Sequence, residues 1–219
     1  MTASLVQRYA RLPDEIDLES LQMVQASLPK TISLNPKEHY VLCRIVRAEG
    51  DPGIATDVKF SPQAVELGLQ ALKSGAEIIT DVRMVEMGIS KPLLKSRGLL
   101  TRCVIDTPEV AARAQREGTT RSVASLRELV PYLHGAVVAV GNAPTALLAL
   151  LDLVDAGEAS PALIIGMPVG FVACAESKEE LTNRAAPYIS ILGRRGGSSA
   201  AAATVNALLD LTKAPEEAQ

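Results

Sequence analysis

The chain has 219 residues, 47% hydrophobic and 21% charged, with a formal net charge of −3. That length supports a core that needs no disulfide or structural metal as a staple, and the charge provides no basic field to draw the chain to nucleic acid. Three widely spaced cysteines (Cys43, Cys103, Cys174), two histidines (His39, His134) and no CxxC or HxxxH spacing argue against zinc and for reduced thiols in a cytoplasmic core.

Read from the N-terminus, "MTASLVQRYARLPDEID" lacks the continuous apolar centre of a signal peptide. No run of about 18 apolar residues follows anywhere, so no membrane span is expected. Residues 1–35 read as a helical arm, 36–213 as a single α/β domain, and 214–219 as a disordered tail from its charge and proline. In "SLNPKEHYVLCRIVRAEG", Asn35 is placed to cap a helix over 36–48, with Pro36 at its first position and Glu38 three residues after the cap. Val41, Leu42, Ile45 and Val46 fall on one face, and Arg47 falls almost opposite its centre, which on pattern alone reads as solvated surface.

"GDPGIATDVKFSP" reads as a loop. A regular alternation follows: helix "PQAVELGLQALKSG", strand "AEIIT", short helix "DVRMVEMGI", strand "LLTRCVI", helices "TPEVAARAQREG" and "TTRSVASLRELVPYL", and strand "GAVVAVG". Helix "APTALLALLDLVDAG", strand "PALIIGM", helix "SKEELTNRA", strand "YISILG" and helix "SSAAAATVNALLDLT" complete it. Five short β-branched runs alternating with helices predict a three-layer, Rossmann-like fold, a parallel five-stranded sheet with helices on both faces. The scarcity of aromatics, 3% with no Trp, suits helices packed closely on such a sheet.

Ligands bind such sheets beyond the carboxyl ends of the strands. The segments to read there are "TDVRM", "DTPE", "GNAPT", "GMPVGFVACAESK" and "GRRGGSS". "GNAPT" and "GGSS" lead small residues into helix N-termini, where free N–H groups favour an anion. Arg83, Arg121, Arg194 and Arg195 stand nearby in the chain. No GxxxxGK[ST], no GxSxG elbow and no G-x-G-x-x-G after the first strand is present.

The stretches "FSPQAVELGLQALKSGAEIITDVRMVEMGI", "GTTRS", "VVAVGNAPTALLALL", "PALIIGMPVGFVACAESKEEL" and "GRRGGSSAAAATVNALL" together resemble the precorrin-8X methylmutases of cobalamin biosynthesis. The likeness runs in order from about residue 13 to 210. The resemblance implies a parallel sheet with flanking helices and a homodimer. It also implies migration of a methyl group on ring C of a tetrapyrrole, precorrin-8X or its cobalt counterpart, from carbon 11 to carbon 12. The product would be hydrogenobyrinic or cobyrinic acid, and neither metal nor cofactor takes part. A substrate with many carboxylates gives an acidic protein a reason to keep arginines and helix N-termini at one edge.

Carried across by motif, the resemblance places Ser20 of "PDEIDLESL" at a family serine, with Leu21 where phenylalanine is usual. It makes Arg121 of "GTTRS" and Arg194 of "GRRGG" ligand contacts, with Thr80, Asp81, Asn142 and Thr145 on the adjoining loops. One position departs. Where the family pattern has R-[IM]-[IV]-H, with histidine thought to protonate the ring, this chain reads "RIVR", so Arg47 replaces the general acid. A guanidinium donates hydrogen bonds but does not give up its proton. Three explanations follow: an engineered variant, a natural non-catalytic relative, or electrostatic help from arginine alone. His39 lies too far along the same helix to substitute, and His134, before its strand, reads as structural. Two other readings are a corrinoid-binding relative without activity and an unrelated α/β enzyme taking phosphorylated ligands at "GRRGGSS".

Overall fold

The computed structural model describes residues 4–213; the tail at 214–219, expected to be disordered, lies outside them. Two helices come first, α1 (Leu5–Tyr9) and α2 (Pro13–Ser27), then α3 (Pro36–Glu49) and a 3-10 turn at Pro52–Thr56. Asn35 caps α3 as its sequence requires. Its Oδ1 accepts from the N–H groups of Lys37 and Glu38 at 3.0 Å, while Glu38 accepts from the Asn35 N–H at 3.1 Å. Gly50, in the left-handed conformation, ends the helix.

The alternating part contains β1 (Val58–Phe60), α4 (Ala64–Lys73), β2 (Ile78–Thr80), α5 (Arg83–Gly88), α6 (Lys91–Arg97) and β3 (Thr101–Arg102). Next come α7 (Pro108–Glu117), α8 (Arg121–Glu128), α9 (Val130–Leu133), β4 (Val137–Val140) and α10 (Pro144–Asp155). The chain closes with β5 (Leu163–Gly166), α11 (Cys174–Thr182), β6 (Tyr188–Ile191) and α12 (Ser198–Leu211).

All five expected strands form and run parallel, in the order β3-β2-β4-β5-β6. The sheet has a sixth strand, so the five-stranded expectation is corrected to a mixed sheet. Strand β1 lies antiparallel to β6, pairing Val58 with Ile191 and Phe60 with Ile189. Three residues between a 3-10 turn and a proline are too short to show alternation, which is why this segment reads as loop. Helix α6 was likewise not anticipated, because "SKPLLKSRG" is short and lies between stronger patterns.

The three layers follow from the two-residue period of the strands. Along β4, Val137 and Ala139 face one core, shared with α3, α4 and α12, while Val138 and Val140 face the other, shared with α8 and α10. Ile78 and Ile79 divide in the same way, as do Ile165 and Ile164. Outside the sheet, α3 packs on α12, burying Val41, Leu42, Ile45 and Val46, and α2 packs on α3. No residue of α2 is buried, and Ile16, Leu18 and Met23 remain exposed. Among the described residues no helix is long and apolar enough to cross a membrane.

Candidate functional site

Arg47 sits in the last turn of α3, where its charge also complements the helix dipole. The pattern-based expectation of a solvated arginine does not hold, because α2 covers that side of α3. The Arg47 guanidinium is hydrogen-bonded to the carboxylate of Asp17 on α2, and Arg44 donates to the same carboxylate at 3.2 Å. The Arg47 bond, together with both positive charges, holds the Asp17 carboxyl below the ordinary carboxylate value. Arg47 and Ser20 line one cleft of about 540 Å³ with Ile16, Met23, Val24 and Pro52. On its other side Arg47 lines a second cleft of about 450 Å³ with Met84, Gly88, Ser199 and Asn206. Position 47 therefore stands at the boundary of two clefts.

The remaining candidates lie at the carboxyl edge of the sheet. Thr80 ends β2 and is fully buried; its hydroxyl has no strong hydrogen-bond partner and lies against the Cys103 thiol. Asp81 follows, also buried. Its Oδ1 accepts from the N–H of Gly141 at 2.9 Å, and its Oδ2 from Asn142 at 2.9 Å and Ala143 at 3.0 Å. Burial pushes this carboxyl above its usual value, and the three N–H donors pull the other way. Asp81 thus shapes the "GNAPT" turn from beneath, with both oxygens occupied. Gly141 has no room for a side chain: a Cβ there would lie 2.6 Å from Val85 and 2.9 Å from the Ser198 Cα. The turn exposes Asn142 and carries Thr145 into α10, where its hydroxyl lies 3.4 Å from that of Thr120, the cap of α8. Arg121 is the next residue, exposed at the helix start.

The four arginines of this edge divide into two kinds. Arg83 is held by Asp106 (2.8 Å) and Glu86 (2.7 Å), and Arg195 by Asp51 and Asp57 (2.7 Å to the latter). Arg121 and Arg194 have no carboxylate partner among the described residues; Arg194 lies over the Phe171 ring, 5.3 Å from its centroid. The charge expected of Arg83 and Arg195 is therefore already neutralised.

The structure brings Arg47 to Ser20, Asp81 to Asn142, and Arg121 to Thr145 through Thr120, while Arg194 stands on the separate turn after β6. Sequence reasoning did not single out Asp17, Arg44 or Lys178. Lys178 had a signal: at helical spacing it shares a face with Cys174, Ser177 and Leu181, and all four are buried. The histidines stay outside this set. His134 Nδ1 lies 3.1 Å from the Ser160 hydroxyl, and His39 Nδ1 lies 3.7 Å from the Cys43 sulfur.

Comparison with known proteins assigns the chain to a family. The family model described as precorrin-8X methylmutase matches residues 15–211. The chain is 46% identical over 167 residues to a precorrin-8X methylmutase of Pseudomonas aeruginosa, covering 75% of this chain and 80% of that protein. It is 36% identical over 196 residues to a cobalt-precorrin-8 methylmutase of Priestia megaterium, covering 90% and 87%. The solved precorrin-8X methylmutase of Thermus thermophilus superposes with a TM-score of 0.82 at 38% identity, covering 90% of this chain and 96% of that one. The chain belongs to the precorrin-8X methylmutase family.

Proposed function

We propose that this protein acts on precorrin-8X or its cobalt counterpart as a methylmutase of cobalamin biosynthesis, moving the ring C methyl group from carbon 11 to carbon 12. The observation that carries the reading to this chain is the division of its arginines. Among the described residues Arg121 and Arg194 have no carboxylate partner, which leaves their guanidinium groups at the carboxyl edge, where a polycarboxylate ligand needs them. Asn142 and Thr145 offer polar groups on the turn between them, Asp81 and Thr80 form its buried support, and Ser20 lines the cleft beside Arg47. The family's proton donor would stand at position 47. Arginine there supplies charge and hydrogen bonds but no transferable proton, so turnover is slow. Its engagement by Asp17 favours a second reading, a corrinoid-binding relative that holds the product without making it.

The working unit is a homodimer in this reading, supported by the exposed Met84, Met87, Phe171 and Val172, and its place is the cytoplasm, supported by three buried free cysteines. Spectral titration with hydrogenobyrinic acid followed by an assay of precorrin-8X conversion tests the function. Binding with slow conversion supports the methylmutase. Binding without conversion leaves the non-catalytic relative, and no binding overturns both.

A further inference from the structure

Lys178 is the bulkiest fully buried side chain among the described residues, and it is a lysine with 0% exposure. An ammonium in a core is costly unless its donors are used. Here they are: Nζ donates to the carbonyl oxygens of Gly193, at 3.0 Å, and Arg195, at 2.5 Å. These residues flank Arg194 in the turn that joins β6 to α12. Among the described residues no carboxylate pairs with Lys178, and its polar partners are main-chain atoms of that turn and the neighbouring Cys174 thiol.

The same turn is held at further points. Gly170 N–H donates to the Arg194 carbonyl at 3.3 Å, and Gly197 N–H to the Met167 carbonyl at 2.9 Å. The Cys174 thiol donates to the Pro168 carbonyl at 3.3 Å and lies 3.8 Å from that of Gly193. Gly196 has φ +132°, and a Cβ there would lie 2.7 Å from the Met167 carbonyl oxygen, so the turns after β5 and β6 touch through backbone. The carbonyls of residues 193, 194 and 195 are all engaged inward, while the Arg194 side chain lies exposed over Phe171.

We propose that Lys178 is a positioning residue for ligand binding: its buried ammonium fixes the Gly193–Arg195 backbone and thereby aims the Arg194 guanidinium at a ligand carboxylate. The proposal rests on the reading of Arg194 as a ligand contact given above. A lysine does what an apolar residue of the same volume cannot, because one Nζ binds carbonyls on both sides of Arg194. Burial pulls the Lys178 pKa down, and the Cys174 sulfur on its own helix and Asp57 beyond the 3-10 turn oppose that pull. Carbonyl oxygens, rather than a partner that could titrate away, hold the group in place.

The test combines exchange and affinity measurements on the full chain and its Lys178→Met variant, which keeps the stem and loses the donors. Amide hydrogen exchange at residues 193–197 without ligand should speed about tenfold in the variant, the scale of one lost charge-assisted hydrogen bond. Affinity for hydrogenobyrinic acid, read by spectral titration, should fall about tenfold. That loss should vanish in an Arg194→Ala background and persist in an Arg121→Ala background, since coupled positions are non-additive and separate ones add. A general loosening of the protein would not distinguish the two arginines. Unchanged exchange at 193–197, or equal losses in both arginine backgrounds, overturns the proposal. If Arg194→Ala alone leaves affinity unchanged, the reading of Arg194 as a ligand contact fails, and the exchange rates alone decide whether Lys178 holds the turn. Should Lys178→Met not melt cooperatively, Lys178→Gln, which keeps two N–H donors, takes its place with a smaller effect of the same pattern.

Discussion

The carboxylate of Asp17 on α2 is hydrogen-bonded to the guanidinium of Arg47 on α3, across a separation of 30 positions in sequence. With Arg44 on the same carboxylate, this ties the otherwise superficial α2 to the helix that carries Arg47. Asp17 has its pKa lowered chiefly by Arg47, so its contribution is present above the ordinary carboxylate value and is lost as pH falls through the lower folded value. Amide protection of α2 should therefore stay flat through the neutral range and fall only in acid, below about pH 4. Asp17→Asn should remove that acid step, and a protection profile that titrates near pH 6–7 would assign the tie to another group.

Arg47→His places at this position a side chain whose ordinary pKa lies near neutrality. General acids typically contribute about 10²- to 10⁴-fold in rate, so the variant should isomerise precorrin-8X at least about a hundredfold faster. Single-turnover absorbance on both forms, with identical substrate, makes the comparison. Equal rates would remove position 47 from the chemistry.

Arg121 is exposed and has no ion pair among the described residues, so its removal has little to take from the fold. Arg121→Ala should leave thermal stability nearly unchanged while weakening hydrogenobyrinic acid binding about tenfold or more, the scale of one charge-assisted hydrogen bond. A spectral titration identical to that of the parent would take Arg121 out of the site.

Asp81→Asn should act in the opposite way, through the fold. The amide presents one oxygen and one NH2 group to three backbone N–H donors, so one or two buried bonds are lost. The expected cost is roughly 1.5–3 kcal/mol in urea unfolding. Ligand affinity should fall as the Asn142 turn loosens. Full stability would mean that the turn does not depend on this carboxylate.

Self-association is the fifth expectation. Sedimentation at micromolar concentration should give a dimer, and Phe171→Ser should shift the balance toward monomer, because this side chain is 80% exposed on the turn that carries the apolar Val172. A monomer in the parent protein at that concentration contradicts the dimer.

The elements that sequence alone makes legible are those with a repeating pattern or a local cap. Helix α3 was readable because Asn35, Pro36 and Glu38 announce its start and four apolar residues mark its buried face. The five parallel strands were readable because buried β-branched runs stand between helical stretches. What was not legible depends on distant partners. Arg47 reads as solvent-facing from its own helix, and only the arrival of α2 with Asp17 changes that. Arg83, Arg121, Arg194 and Arg195 look alike in the chain, yet Asp106, Glu86, Asp51 and Asp57 neutralise two of them and leave the other two without a carboxylate partner among the described residues. Lys178 was hidden for a third reason. Its acceptors are carbonyl groups, which every residue has and no sequence pattern marks.

The sheet ends on short strands at both edges, β1 with three residues at one and β3 with two at the other. Short borders of this kind offer few unpaired backbone groups and are poor templates for an incoming strand. Such borders disfavour edge-to-edge polymerisation, while the apolar parallel strands β4 and β5 stay enclosed between their neighbours. The proposed dimer would then rely on side chains of helices and turns, so that a single surface substitution could tune it without touching the hydrogen-bond ladder of the sheet.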